Sequence, residues 1–287
     1  MSKVASKHPI NSNRFHRGCL SATSMKLIAL ICMTIDHMGA YGFNIPVMVG
    51  HIDNSRIVGR IAAPIFLYAA VESLKKTRNK KKYLFRLYLA SVVIGSANLF
   101  VSALWGMTIS FGNMVQSLFL TILFLWFLEM EVDLYKKKHY KKFLQYAMLF
   151  LMIICGATLF DKVMWNDDML LRWLNWRENR IGAEYVNFFR HAVNIFIIEP
   201  RRIMYFKWII VLGICWYFTN SKKAHVICFL IICLLSMFLI QGNQWRMILA
   251  TPIILLYNGE YGKGRKWFFY AYYPIHCYII AFINTLY

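Results

Sequence analysis

The sequence predicts an all-α protein: a polytopic membrane helix bundle of about nine transmembrane helices. Of its 287 residues, 59% are hydrophobic and 17% aromatic, and the apolar runs are too long and too numerous for one soluble core. A helix needs roughly 20 apolar residues to cross a hydrocarbon layer of about 30 Å, and runs near that length recur from residue 24 onward. The runs are continuously apolar and do not alternate, which favours helices over a β-barrel.

The apolar runs place the spans at 24–42, 57–74, 83–104, 112–130, 143–160, 203–219, 224–240, 245–258 and 267–286. The eighth is the shortest. The run "NIFIIEP" at 194–200 is too short to cross and ends at a proline, so we expect a re-entrant or interfacial segment within 188–200. The chain then divides into a basic tail, 1–23, and one membrane domain, 24–287, with an extracytoplasmic insertion at 161–202.

Lysine and arginine gather in every second loop. Clusters precede the first span and stand at 75–82, 136–142, 221–223 and 262–266. Such loops face the cytoplasm, so we expect an integral multi-pass protein of a bacterial plasma (inner) membrane with its N-terminus inside. The net charge of +20 then reflects attraction to anionic membrane lipid, and no nucleic-acid partner is expected.

The cysteines indicate no chemistry of their own. The seven cysteines form no CxxC pair and no disulfide framework. Six of them lie inside apolar spans, where they are interpreted as small buried hydrophobic residues: Cys32, Cys155, Cys215, Cys228, Cys233 and Cys277. No metal site is expected.

Ionisable side chains within the spans indicate one candidate site. Asp36 and His37 lie inside "ALICMTIDHMGAYGF", and His276 lies in the last span, "FFYAYYPIHCYII". Counted at about 1.5 Å per residue, His37 is roughly 16 Å from Lys26 and His276 is about 15 Å from Lys266. The two imidazoles are therefore predicted at similar depth near mid-membrane, where ionisable groups usually mark a site or a pathway.

Further polar side chains predict a cavity that reaches from the outer face to the midplane. They stand near the outer ends of different spans: Arg60, Asn113, Gln116, Gln244 and Arg246. On the cytoplasmic side, Asn258 and Gly259 in "LLYNGEYG" mark a place where a loop could approach a ligand closely.

Two mid-membrane imidazoles with a carboxylate can transfer a proton or an acyl group. A histidine can take the proton from an attacking amine or hydroxyl, or carry the acyl group itself. Adjacent side chains on a helix point about 100° apart, so Asp36 is expected to orient Arg60 or His276 on another helix. Structural roles stay open: Asp36 and His37 fixing helix packing, His276 supporting the backbone near Pro274, and Arg60 snorkelling to the interface.

Four ordered stretches resemble the TraX family of integral membrane proteins. They are "MKLIALICMTIDHMGAYGF", "VGRIAAPIFLYAAVESLKKTRNKKKYLFRLYLAS", "QWRMILATPIILLYNGEYG" and "KWFFYAYYPIHCYI". The founding member of that family is linked to N-terminal acetylation of conjugative pilin. The family looks related to transmembrane acyltransferases, which take acetyl-CoA at the cytoplasmic face and acetylate an acceptor outside.

The resemblance implies an acetyl-CoA-dependent N- or O-acetyltransferase without a metal. It implies His37 as catalytic base or acyl carrier and Asp36 as its supporting carboxylate, with His276 and Arg60 lining the same cavity. Cytoplasmic basic residues that suit the CoA phosphates are Arg78, Lys82 and Arg86. The implied acceptor is an amine or hydroxyl of a peptide N-terminus or a glycan at the outer face.

Segment 161–202 departs from the family in its length and carries Trp165, Trp173, Trp176 and His191. Pilin, a secreted peptide, an amino sugar and a wall polymer are therefore all open as acceptors. Two functions of other classes also remain. In a proton-coupled transporter, Asp36 and the two histidines would relay protons, although the sequence shows no internal repeat. A non-catalytic pilus or envelope assembly factor would tolerate changes at all three positions.

Overall fold

The computed structural model describes residues 18–42, 44–105, 113–164, 188, 191–193, 195–196, 206–239, 243–264 and 266–287. Within these ranges the regular structure is helical, with one isolated bridge between Leu20 and Tyr257. The all-α prediction is confirmed there. Most of the basic tail, most of the 161–202 insertion with its three tryptophans, and much of the predicted re-entrant segment 188–200 lie outside the described residues.

The described elements follow one another along the chain with short connections. They are α1 (Ala22–Tyr41), a 3-10 turn (Pro46–Met48), α2 (Ile52–Gly59), α3 (Ala62–Lys76), α4 (Lys80–Trp105), α5 (Met114–Lys136), α6 (Tyr140–Met164), α7 (Phe206–Phe218), α8 (Lys222–Leu239), a 3-10 helix (Asn243–Ala250), α9 (Thr251–Leu255) and α10 (Lys266–Asn284).

Four helical segments of the described part are long and apolar enough to cross a membrane. They are Ile52–Lys76, Lys80–Leu104, Met114–Lys136 and Tyr140–Phe160. The other predicted spans overlap helical backbone without reaching that standard. The predicted span 245–258 forms a 3-10 helix of eight residues and then α9 of five, together short of the roughly 20 residues that a crossing takes.

The second predicted span starts earlier than the sequence indicated and contains a break. It was expected at 57–74, but α2 begins at Ile52 and ends at Gly59, and α3 begins at Ala62. At the break, the backbone N–H groups of Arg60 and Ile61 donate to the carbonyls three residues earlier. Such i→i+3 bonds tighten a helical turn, and here they separate α2 from α3.

Helix α3 lies at the centre of the bundle. Its side chains Ile65, Leu67, Val71 and Leu74 are fully buried, and α1, α5 and α7 pack around it. Helix α6 is the opposite case, since the apolar side chains along its spanning part are largely exposed within the protein. Because a membrane covers such a helix with lipid, we interpret α6 as the lipid-facing edge.

The buried histidine of α8, His225, has a structural role. Its Nε2 lies 2.9 Å from the carbonyl oxygen of Thr219, and its Nδ1 lies 3.2 Å from the hydroxyl of Tyr68. A carbonyl only accepts, so Nε2 carries the proton and Nδ1 accepts from the tyrosine. Both ring nitrogens are thus used inside the fold.

Several basic loops meet at one end of the bundle. Segment 18–23 pairs with 256–261 there: the Leu20 N–H donates to the Leu256 carbonyl at 2.8 Å, and the Asn258 N–H donates to the Leu20 carbonyl at 2.9 Å. Lys76, at the end of α3, donates to the Gly259 carbonyl at 2.6 Å, and Lys222 donates to the Tyr257 carbonyl. We call residues 18–23, 75–82, 219–223 and 256–264 the basic end.

Candidate functional site

Helices α1 and α10 bring two histidines into direct contact. His37 Nδ1 lies 2.7 Å from His276 Nε2, and the two rings are nearly parallel, with an interplanar angle of 6°. His276 is buried, and His37 is half-buried. The two imidazoles that were placed at similar depth by counting along their helices therefore form a hydrogen-bonded pair.

The hydrogen bonds of this pair fix where its protons lie. His276 Nδ1 is 2.7 Å from the carbonyl oxygen of Tyr272, which only accepts, so Nδ1 is the donor and Nε2 of the neutral ring carries a lone pair. Nδ1 of His37 must then donate to that lone pair. The remaining ring nitrogen, His37 Nε2, is left without a proton and can accept one.

A cavity of about 280 Å³ lies beside this pair. His37 forms part of its wall, together with Met33, Asp36, Ala40, Tyr41, Arg56, Gly59, Arg60, Ala62, Ala63, Phe66, Met114 and Tyr273. Among the described residues, no side chain or backbone group bonds His37 Nε2. This nitrogen is therefore available to a group bound in the cavity, in contrast to the two fully used nitrogens of His225.

Cys277 is a third member of this cluster that the sequence analysis missed. Its Sγ lies 3.1 Å from His37 Nδ1 and 3.6 Å from His276 Nε2, and its side chain is buried. Interpreted alone, it resembled the other cysteines of the apolar spans. Its position next to His276 in the chain was the available signal.

The partner of Asp36 is Arg56, so the prediction that Asp36 orients Arg60 or His276 is wrong. Arg56 NH1 lies 2.9 Å from Asp36 Oδ2 and 3.4 Å from the Asp36 carbonyl oxygen. Because the second span was predicted to start at 57, Arg56 was excluded from consideration. Helix α2 begins at Ile52 and turns Arg56 toward α1.

Close approach of α1 and α2 depends on Gly59. A Cβ atom built on Gly59 would overlap the side chain of Asp36, and one built on Gly39 would overlap that of Ser55. The two glycines thus let the helices cross at a distance that places Asp36 beside Arg56. Small residues serve this purpose widely in membrane helix pairs.

The other predicted cavity residues lie around its rim. Arg60 lines the cavity, and its NH1 donates to Gln244 Oε1 at 3.2 Å. Asn113 caps α5, accepting from the Gln116 N–H at 3.2 Å and donating to the Ser91 carbonyl at 3.0 Å. The Arg246 guanidinium lies 5.8 Å from the ring centre of Trp245. Of these residues, Arg60 alone contributes to the listed wall of the cavity, while Gln244 positions it.

The residues predicted for the acyl donor lie at the basic end and do not line this cavity. Asn258 and Gly259 hold segment 18–23 and Lys76 in place through the bonds given above. Arg78 and Lys82 are exposed at the turn between α3 and α4. Arg86, one turn into α4, donates from Nε to the Lys82 carbonyl at 3.2 Å. The structure therefore separates the predicted donor residues from the histidine pair.

We expect Arg56→Met to lower the stability of the protein by up to about 3 kcal/mol, because it leaves a largely buried carboxylate without its cation. The side chain of Asp36 is only 20% exposed. The melting temperature of the purified protein in detergent measures the change. Adding Asp36→Asn to Arg56→Met should recover most of the loss, and a double variant as unstable as the single one would contradict the ion-pair role.

A family model described as "TraX protein" matches residues 21–188, more than half of the chain. The chain belongs to the TraX family. No curated protein and no solved structure shows a match. The match to the TraX model covers α1 to α6 and so includes Asp36, His37, Arg56 and Gly59, whereas His276 and Cys277 lie beyond its end. The chain is thus a membrane protein of the TraX family.

Proposed function

We propose that this TraX-family protein is a membrane-embedded acetyltransferase. It moves the acetyl group of acetyl-CoA from the cytoplasmic side to an amine or hydroxyl of an acceptor at the outer side. The observation that supports this most is the His37–His276 pair at the wall of the cavity, with the tautomers that Tyr272 imposes. A neutral imidazole with a free lone pair is the group that general-base acyl transfer requires.

The proposed step uses His37 as a base. His37 Nε2 takes the proton of the acceptor amine or hydroxyl while that nitrogen or oxygen bonds to the acetyl carbonyl carbon. The carbon–sulfur bond of the thioester then breaks, its electron pair leaves with the sulfur, and the proton on His37 passes to the thiolate. Its Nδ1–H bond to His276 Nε2 stabilises the imidazolium that forms in between.

The cationic part of the cavity supports the same step. Arg56 and Arg60 line it with His37, and negative charge develops on the acetyl oxygen as the acceptor attacks. Donors held in a water-poor site stabilise such charge strongly. Since Arg56 is already paired with Asp36, we assign the oxyanion to Arg60, which Gln244 orients.

The two ends of the bundle suit the two substrates. The basic end faces the cytoplasm under the positive-inside rule, and Arg78, Lys82 and Arg86 there suit the phosphates of CoA. The thioester must then reach inward, since His37 lies roughly 16 Å along α1 from Lys26. The cavity lies toward the opposite end of α1 and receives the acceptor, a peptide N-terminus such as that of a pilin, or a glycan.

Oriented membrane vesicles test this proposal. Inside-out vesicles would carry acetyl-CoA, labelled in the acetyl group, outside and a peptide with a free N-terminus together with glucosamine trapped inside. We expect labelled acceptor in the lumen, and much less with right-side-out vesicles. Labelling of both acceptors no higher than in vesicles without the protein would contradict the proposal and leave a transporter or an assembly factor.

A further inference from the structure

We propose that His37, His276 and Cys277 together form a binding site for a divalent metal ion of borderline softness, of which Zn²⁺ is the representative. Nδ1 of His37, Nε2 of His276 and Sγ of Cys277 converge on one point between α1 and α10. Two imidazoles and a thiolate are a ligand set that Zn²⁺ takes in proteins, with a fourth position left for water or another group.

The separations of the three ligand atoms are close to those around a tetrahedral metal. Zn–N bonds of about 2.0–2.1 Å and Zn–S bonds of about 2.3 Å place neighbouring ligand atoms roughly 3.3–3.6 Å apart. The two N–S separations are 3.1 and 3.6 Å, and the N–N separation is 2.7 Å. Small side-chain rotations that part the two nitrogens therefore suffice to admit the ion.

The surroundings of the cluster also suit a metal. His276 Nδ1 donates to the Tyr272 carbonyl, an outer-shell bond of the kind that orients metal-binding histidines and directs the other nitrogen's lone pair to the ion. His276 and Cys277 are buried, so the ligands are held by the helices. Binding requires two proton changes: the thiol of Cys277 releases its proton, and the proton of His37 moves from Nδ1 to Nε2.

The ligand pattern explains why the sequence predicted no metal. Two ligands are neighbours on α10, and the third comes from α1, more than 200 residues earlier in the chain. Common zinc motifs are recognised by two ligand pairs at short fixed spacings. A site assembled from single residues on two crossing helices has no such spacing.

A consequence follows for catalysis, and it rests on the proposed function. With a metal on Nδ1, the proton of His37 occupies Nε2, which can then no longer accept one from an acceptor. The bound metal is therefore expected to inhibit acetyl transfer, and a chelator to restore it. Metal binding itself does not depend on the protein being an acetyltransferase.

Titration of the purified, chelator-treated protein in detergent with CoCl₂ tests the site directly, because Co²⁺ substitutes for Zn²⁺ and reports its ligands by absorption. We expect one equivalent to produce a thiolate-to-cobalt charge-transfer band, which ZnCl₂ then abolishes. Cys277→Ser should remove this band and weaken binding by more than the roughly 10- to 100-fold that loss of an outer-shell partner costs.

Cys233→Ser is the matched control, since Cys233 is also buried in an apolar helix, α8, outside the cluster. It should keep the band unchanged. His276→Gln provides a second variant that should lose the d–d bands of four-coordinate cobalt. No charge-transfer band in the folded wild-type protein, or an unchanged band in Cys277→Ser, would overturn the proposal whatever the outcome of the vesicle assay.

Discussion

His37→Gln is expected to lower acetyl transfer by roughly 10²- to 10⁴-fold, the factor that a positioned general base contributes. Glutamine fills similar space and can keep a hydrogen bond to His276, but it cannot take up a proton at neutral pH. The bundle should therefore keep its fold while the chemistry is lost. The initial rate of labelled product in inside-out vesicles measures the effect at equal amounts of inserted protein.

His139→Gln is the control for this change, because His139 lies exposed in the turn between α5 and α6 at the end of the bundle. Its rate should equal that of the wild type. The melting temperatures of both variants show whether the fold is retained. A folded His37→Gln variant that turns over at the wild-type rate would exclude His37 as the base and leave the pair a packing element.

Gly59→Ala should have the second large effect, because the added methyl group would occupy the space of the Asp36 side chain. Helix α2 must move away from α1, or the carboxylate must leave Arg56. Overpacking of this kind typically lowers stability by about 1–3 kcal/mol. Since Asp36, Arg56 and His37 line one cavity, we also expect a marked loss of acetyl transfer.

Gly156→Ala is the matched control for Gly59→Ala. Gly156 lies in the lipid-facing helix α6, and no heavy atom lies within 4 Å of a Cβ built there. Alanine in an open helical position is neutral or stabilising by up to about 1 kcal/mol. Melting temperatures of the two variants in the same detergent decide the matter, and equal values would contradict the close crossing of α1 and α2.

The sequence predicted the two histidines at similar depth because helical rise is fixed by backbone geometry. Depth along two helices can be counted from their flanking lysines without knowing how the helices pack. Rotation about the helix axis cannot be counted in this way. The contacts of Cys277 with His37, and of Asp36 with Arg56, depend on which faces of α1, α2 and α10 meet.

Other features of the fold depend on pairings between distant parts of the chain. Segment 18–23 forms backbone hydrogen bonds with 256–261, which no apolar periodicity indicates. This pairing uses the backbone of Asn258, which the sequence suggested only as a place of close approach to a ligand. The eighth predicted span failed as a continuous helix for a local reason, since 13 helical residues in two short pieces cannot cross a membrane.

The position of one proton decides whether His37 can act as the base. ¹⁵N NMR of the chelator-treated protein with labelled histidine measures it, since protonated and unprotonated ring nitrogens resonate far apart. The His37 signals, identified by their absence in His37→Gln, should show a proton on Nδ1 and a bare Nε2. His225, with its proton on Nε2, provides the opposite tautomer as an internal reference. A proton on His37 Nε2 in the metal-free protein would contradict the proposed base.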